Sequence, residues 1–197
     1  FKDSHDILWI GTTAGVDTYN LKTKSYKRIS EENPALQHLK KSSIKDFYED
    51  ESGNIWIPTL SIGVTIYNPS TQQVTRLNKQ NGFSSNQILG ITKDYKNMMW
   101  LATDNGLTKV NPTTFKINNI SKNQGLASQN FYRGALISAS DGMLYAGGTK
   151  GFSVFDPDAL GKRSNKLKTR ISQFKLDNVR VDINDGTGVL DKPIHKM

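Results

Sequence analysis

One block of sequence recurs four times in 197 residues, and that repetition limits the folds open to the chain more than any other feature. Ile7-Leu8-Trp9-Ile10-Gly11-Thr12 continues to Gly15 and Tyr19-Asn20. Ile55-Trp56-Ile57-Pro58-Thr59 continues to Gly63 and Tyr67-Asn68-Pro69. Met99-Trp100-Leu101-Ala102-Thr103 continues to Gly106 and Asn111-Pro112, and Leu144-Tyr145-Ala146-Gly147-Gly148 to Gly151 and Asp156-Pro157. The anchors Trp9, Trp56, Trp100 and Tyr145 stand 47, 44 and 45 residues apart. Gly15, Gly63, Gly106 and Gly151 stand 48, 43 and 45 apart, each five residues before Asn20, Asn68, Asn111 or Asp156. A period near 45 with strand-like content is the signature of propeller blades.

Within a unit the pattern predicts four short strands. In the second unit these are 43–49, 54–60, 63–67 and 74–77, with a turn at Asp50-Glu51-Ser52-Gly53 and another at Asn68-Pro69-Ser70-Thr71. Ile55, Trp56 and Ile57 are apolar in succession, so this strand is covered on both faces. Flanking blades supply that cover, and the Trp fills the wedge between them. Inner strands are also predicted at 87–94 in the third unit and 130–137 in the fourth. The first unit keeps only the tail of its inner strand, Phe1-Lys2-Asp3, and no fourth strand follows at the expected spacing in the last unit.

The predicted fold class is therefore all-β: a partial β-propeller of about four blades over residues 1–160. A basic linker follows at 161–170. An alternating stretch from 171 reads as a strand pair around Asp177-Asn178 and the beginning of a β-sandwich, cut off at 197. The chain opens without Met inside an apparent strand and reads as a segment of a longer protein. The blades are expected to form an open arc.

Net charge is +8, and +5 of it lies in the last fifth of the chain. No aromatic residue stands between Lys162 and Arg170, so the basic run lacks the stacking groups of a single-strand nucleic-acid groove. Nucleic acid is not an expected partner. There is no run of 18 apolar residues and no cysteine, which excludes a helical membrane span, disulfides, thiol nucleophiles and Cys–zinc sites within this sequence.

These residues resemble the two-component regulator propeller repeat, approximately Ile-x-x-Ile-x-x-Asp-x-x-Gly-x-Leu-Trp-Ile-Gly-Thr-x-x-Gly-Leu-x-x-Tyr-Asn-Pro. The match runs to about residue 158, with one inserted residue before Gly63 and Pro58 where Gly is usual. The fourth unit is similar to the family's last blade, and 169–197 to the start of the Ig-like sandwich named for a triple-tyrosine pattern. The resemblance implies the periplasmic sensor region of a hybrid histidine kinase. It implies a small-molecule or oligosaccharide ligand, the rest of the parent kinase as partner, and homodimerisation in the parent. A polysaccharide lyase or glycosidase built on a propeller, or an intracellular protein-binding scaffold, are the alternatives.

The conspicuous residues have a structural and a functional reading. Trp9, Trp56 and Trp100 could stack on sugars, but their fixed place in the repeat assigns them, with Tyr145 and the four glycines, to the repeat core. Asp50, Asp94 and Asp141 are read as turn residues, since no Asp-x-Asp-x-Asp-Gly loop accompanies them. His5, His38 and His195 lack metal spacing. Gly147-Gly148-Thr149-Lys150-Gly151 lacks the Lys-Ser/Thr ending of a phosphate loop. No catalytic constellation, metal site or cofactor is expected. The ligand-binding candidates are the departures from the repeat at loop ends and inner-strand starts: Asn86 and Gln87 in the third unit, and Asn130, Tyr132 and Arg133 in the fourth.

Overall fold

The computed structural model describes residues 1–44 and 46–160, and beyond them the strand residues 175–176 and 179–180. The chain divides into two compact units, Phe1–Lys162 and Arg163–Met197. In the second unit, β15 (Lys175–Leu176) pairs antiparallel with β16 (Val179–Arg180), bracketing Asp177-Asn178. The remainder of the predicted linker and sandwich lies outside the described residues.

The first unit is a series of four antiparallel sheets, one per sequence repeat. The first blade holds β1 (Ile7–Thr12), β2 (Gly15–Asn20) and β3 (Ser25–Lys27). A bridge from Lys2 to Leu8 is all that represents its inner strand. The second blade holds β4 (Tyr48–Glu49), β5 (Ile55–Pro58), β6 (Val64–Tyr67) and β7 (Val74–Leu77). The third holds β8 (Ile88–Lys93), β9 (Met99–Thr103), β10 (Gly106–Val110) and β11 (Ile117–Ile120). The fourth has three strands, β12 (Phe131–Ser138), β13 (Leu144–Gly148) and β14 (Gly151–Phe155).

Two local features depart from expectation. The inner strand predicted over 43–49 is reduced to Tyr48–Glu49 and a lone bridge between Ile44 and Thr59. Pro58 gives the reason. The Thr59 N–H points at β6, donating to the Gly63 carbonyl at 2.9 Å, so the adjacent residue faces β4 and has no N–H to offer there. The segment before β4 also contains helix α1 (Ile29–Glu32) and a 3₁₀ turn over Pro34–Leu39, which the strand pattern did not predict. Leu36 and Leu39 of that turn are fully buried against the first two blades.

Three apolar clusters hold the unit together, and each joins one blade to the next. Trp9 packs with Ile44, Phe47, Ile57 and Tyr67. Trp56 packs with Ile91, Met99, Leu101 and Val110. Trp100 packs with Leu136, Leu144, Ala146 and Phe155. Each Trp meets the residue four past the next blade's glycine: Tyr67 at a ring separation of 6.1 Å, Val110 within the shared cluster, and Phe155 at 5.4 Å. No described cluster joins the first blade to the fourth.

Candidate functional site

The repeat core is built on an aspartate that sequence reading assigned to the turn at Asp50 and Asp94 and to the tail of the inner strand at Asp3. Six residues before each Trp stands Asp3, Asp50 or Asp94, and each is buried. One carboxylate oxygen accepts the indole N–H at 2.8 Å in all three blades. The other accepts two turn amides: His5 and Ile7 for Asp3, Ser52 and Asn54 for Asp50, Lys96 and Met98 for Asp94, all between 2.8 and 3.0 Å. A buried carboxylate is tolerated because charge-assisted N–H donors replace its water. The Asp-to-Trp spacing of six was the available signal. It fails in the fourth unit, where Ala139 holds the position, and half-buried Tyr145 instead reaches Asp141 through its hydroxyl at 3.0 Å.

The hairpin after each Trp is fixed by a threonine and a glycine. Thr12, Thr59 and Thr103 donate from Oγ1 to the carbonyls of Gly15, Gly63 and Gly106 at 3.0, 2.8 and 2.8 Å. Gly63 and Gly106 have φ of +89° and +99°, and a Cβ there would lie 2.2 and 2.3 Å from the carbonyl oxygens of Leu77 and Ile120. Both the backbone angle and the close approach require glycine. Gly151 shares the angle, at +107°, but a Cβ there would meet open space.

The predicted ligand candidates do not converge on one cavity. The half-buried Asn86 is engaged locally: its side-chain oxygen accepts the Lys79 N–H at 2.8 Å and its carbonyl accepts the Gly63 N–H of the preceding blade at 2.9 Å. The Gln87 N–H donates to Ser85 Oγ at 3.0 Å. The Asn130 carbonyl accepts from Thr149 N and Ser128 Oγ at 3.1 and 2.8 Å. Tyr132 is exposed on β12. Arg133 lines a void of about 10 Å³ together with Asp46, Leu60 and Ile88, room for about one water. Burial pushes the Asp46 carboxyl above its ordinary pKa.

Larger cavities lie between blades. One of about 370 Å³ opens at the junction of the first and second blades, on the side of the Asp turns. Trp9, Thr18, Asn20 and Lys27 contribute from the first blade, and Glu49, Tyr67, Ser70 and Gln72 from the second. Both Glu49 oxygens already accept from Ser4, its N–H at 2.7 Å and its hydroxyl at 2.5 Å. A second groove, of about 330 Å³, lies at the equivalent place between the third and fourth blades. Lys109 enters it. Its ammonium is 3.3 Å from Asp94 Oδ2, 3.2 Å from the Pro157 carbonyl, and 4.9 Å from the centre of the Trp100 ring. No cluster of three or more metal-ligating side chains occurs among the described residues.

No family model matches the chain. By sequence it is similar to histidine kinase P4 of Formosa agariphila, 27% identical over 98% of this chain, and it spans only 18% of that kinase. By structure it is similar to an extracellular domain described as part of a one-component system from B. thetaiotaomicron, with a TM-score of 0.63 and 20% identity over 80% of this chain and 22% of that one. It is also similar to the extracellular domain of a hybrid two-component system from the same organism, with a TM-score of 0.57 and 21% identity over 94% of this chain and 32% of that one. The chain is a run of β-propeller blades related in sequence to a stretch of a bacterial histidine kinase.

Proposed function

We propose that this chain is the ligand-sensing part of a two-component sensor kinase, held in the periplasm and free of catalysis itself. The observation that carries this reading is the relation to a histidine kinase along 98% of the chain. The repeat supports it, because each conspicuous carboxylate, Asp3, Asp50 and Asp94, is committed to a turn and an indole and is not free for acid–base work. In this reading residues 1–160 are sensor blades, 161–170 a linker and 171–197 the start of a sandwich domain. A small molecule or oligosaccharide bound by the blades alters their packing, and the remainder of the parent kinase, as a dimer, passes that change across the membrane.

The test is incubation of the chain with a broad set of glycans, following both binding and the release of reducing ends or unsaturated products. Binding without turnover is expected. Turnover that one Asp or Glu substitution abolishes would overturn the sensor reading in favour of a propeller enzyme.

A further inference from the structure

The three blade junctions are built from equivalent positions, and they differ at the residue paired across the sheet with the Trp. That residue is Thr18 opposite Trp9, Ile66 opposite Trp56 and Lys109 opposite Trp100. Cross-strand partners share a face, so each covers its Trp. Between the second and third blades the cover is complete. Ile66 is buried in the Trp56 cluster, and Asn68 Nδ2 donates to Asn54 Oδ1 at 2.8 Å beside it. Between the third and fourth, the Lys109 chain and ammonium lie over the Trp100 ring. The short Thr18 leaves the space above Trp9 to a cavity of about 370 Å³, whereas the equivalent groove of about 330 Å³ between the third and fourth blades has the Lys109 ammonium reaching into it. Exposed Ser25 stands at its mouth where the third blade carries Lys116, each directly paired with the turn asparagine, Asn20 or Asn111.

We propose that this inter-blade cleft, rather than the loop ends and inner-strand starts carrying Asn86, Gln87, Asn130, Tyr132 and Arg133, is the ligand site, and that it takes a small polyhydroxy compound of mono- to disaccharide size. The inference rests on the sensing role proposed above. The volume lies at the lower end of small-molecule sites. The walls combine apolar surface from Ile7, Ile29 and Pro69 with the Ser70 hydroxyl, the Ser25 hydroxyl, which lies 2.8 Å from Thr23 Oγ1, and the Gln72 amide, whose oxygen accepts from Asn33 at 3.2 Å. Such a lining matches a ligand that alternates C–H and O–H groups. The two carboxylates facing the cleft, Asp3 and Glu49, already hold their donors, so neither calls for a cationic ligand; the basic side chains of the lining are His5 and the exposed Lys27 of β3.

The experiment titrates the chain with a panel of neutral hexoses and their disaccharides, reading amide chemical shifts and the dissociation constant. The wild type is compared with Thr18→Ile, which copies the second blade, and with Ser25→Lys, which copies the third at an exposed strand position. Shifts centred on Thr18, Asn20 and Ser70 are expected. Binding should weaken at least tenfold in both variants, with Ser25→Lys keeping the melting temperature of the wild type. Shifts centred on Asn86, Asn130 and Arg133, with both variants binding as the wild type does, would overturn the cleft and leave the sensing role standing. Binding of no member of the panel would overturn the ligand class.

Discussion

At the scale of single residues, the Asp–Trp pair sets the geometry of a blade. Asp50 serves three tasks at once: it closes the turn through Ser52 and Asn54, orients Asn54 through its side chain, and holds the Trp56 indole. Removing the carboxylate would leave the turn amides and the buried indole N–H without their acceptor, whereas removing the indole empties a core site. Trp56→Ala is expected to cost about 3–5 kcal/mol. Trp56→Phe, which keeps most of the apolar contact, should cost less. Asp50→Ala should cost about 1.5–3 kcal/mol through the lost charge-assisted bonds. A double-mutant cycle between Asp50→Ala and Trp56→Phe should show a coupling of about 0.5–3 kcal/mol in urea unfolding. A Trp56→Ala variant that melts like the wild type but no longer binds ligand would show that Trp56 is a binding platform and not core.

Among the elements, the inner strands are the least regular. Ile44 and Tyr48–Glu49 flank a gap in the ladder opposite Pro58, and Asp46 sits in that gap with its carboxyl pushed up by burial. A raised folded value means that the folded state holds the proton more tightly than the unfolded chain. Its contribution to stability is then full below about pH 4, the ordinary range of a carboxyl, and is lost as pH rises through the raised value. Asp46→Asn is therefore expected to raise the melting temperature at pH 7, with the gain shrinking toward pH 4. A gain that persisted unchanged at pH 4 would mean that the effect is not titration of this group. His38 works in the opposite direction. Burial and the nearby Arg76 push its pKa below the usual 6.5, so its contribution is full above that value and falls away as pH drops toward the depressed one.

For the molecule as a whole, each junction buries a Trp face of one blade against the next, and the fourth blade presents the corresponding face to solvent. Ile137, Tyr145 and Val154 form one cross-strand row there, and Ile137, Phe152 and Val154 are 56%, 69% and 43% exposed. An apolar face of that kind favours association. Solution scattering of the isolated chain is expected to show a concentration-dependent dimer, and Phe152→Lys should shift it toward monomer. Scattering from wild type and variant that is identical and monomeric at all concentrations would rule this out.

The repeat period, the placement of the blades and the burial of Trp9, Trp56 and Trp100 were legible in the sequence because they depend on local pattern. A strand apolar on both faces has to lie between two neighbours, and a glycine five residues before a turn asparagine marks the hairpin. The shortening of the inner strand to Tyr48–Glu49 was not read from the sequence, which predicted 43–49, although Pro58 stood in the pattern as a departure from the repeat. The rest depended on residues that meet only across the fold. The indole bonds to Asp3, Asp50 and Asp94 left a constant spacing of six in the sequence, but that spacing reads as a hydrogen bond only once the turn has closed. The cleft above Trp9 exists because Thr18, Tyr67 and Gln72, unremarkable singly, come from different blades to one place. Packing between blades decided that, and no periodicity within a single strand encodes it.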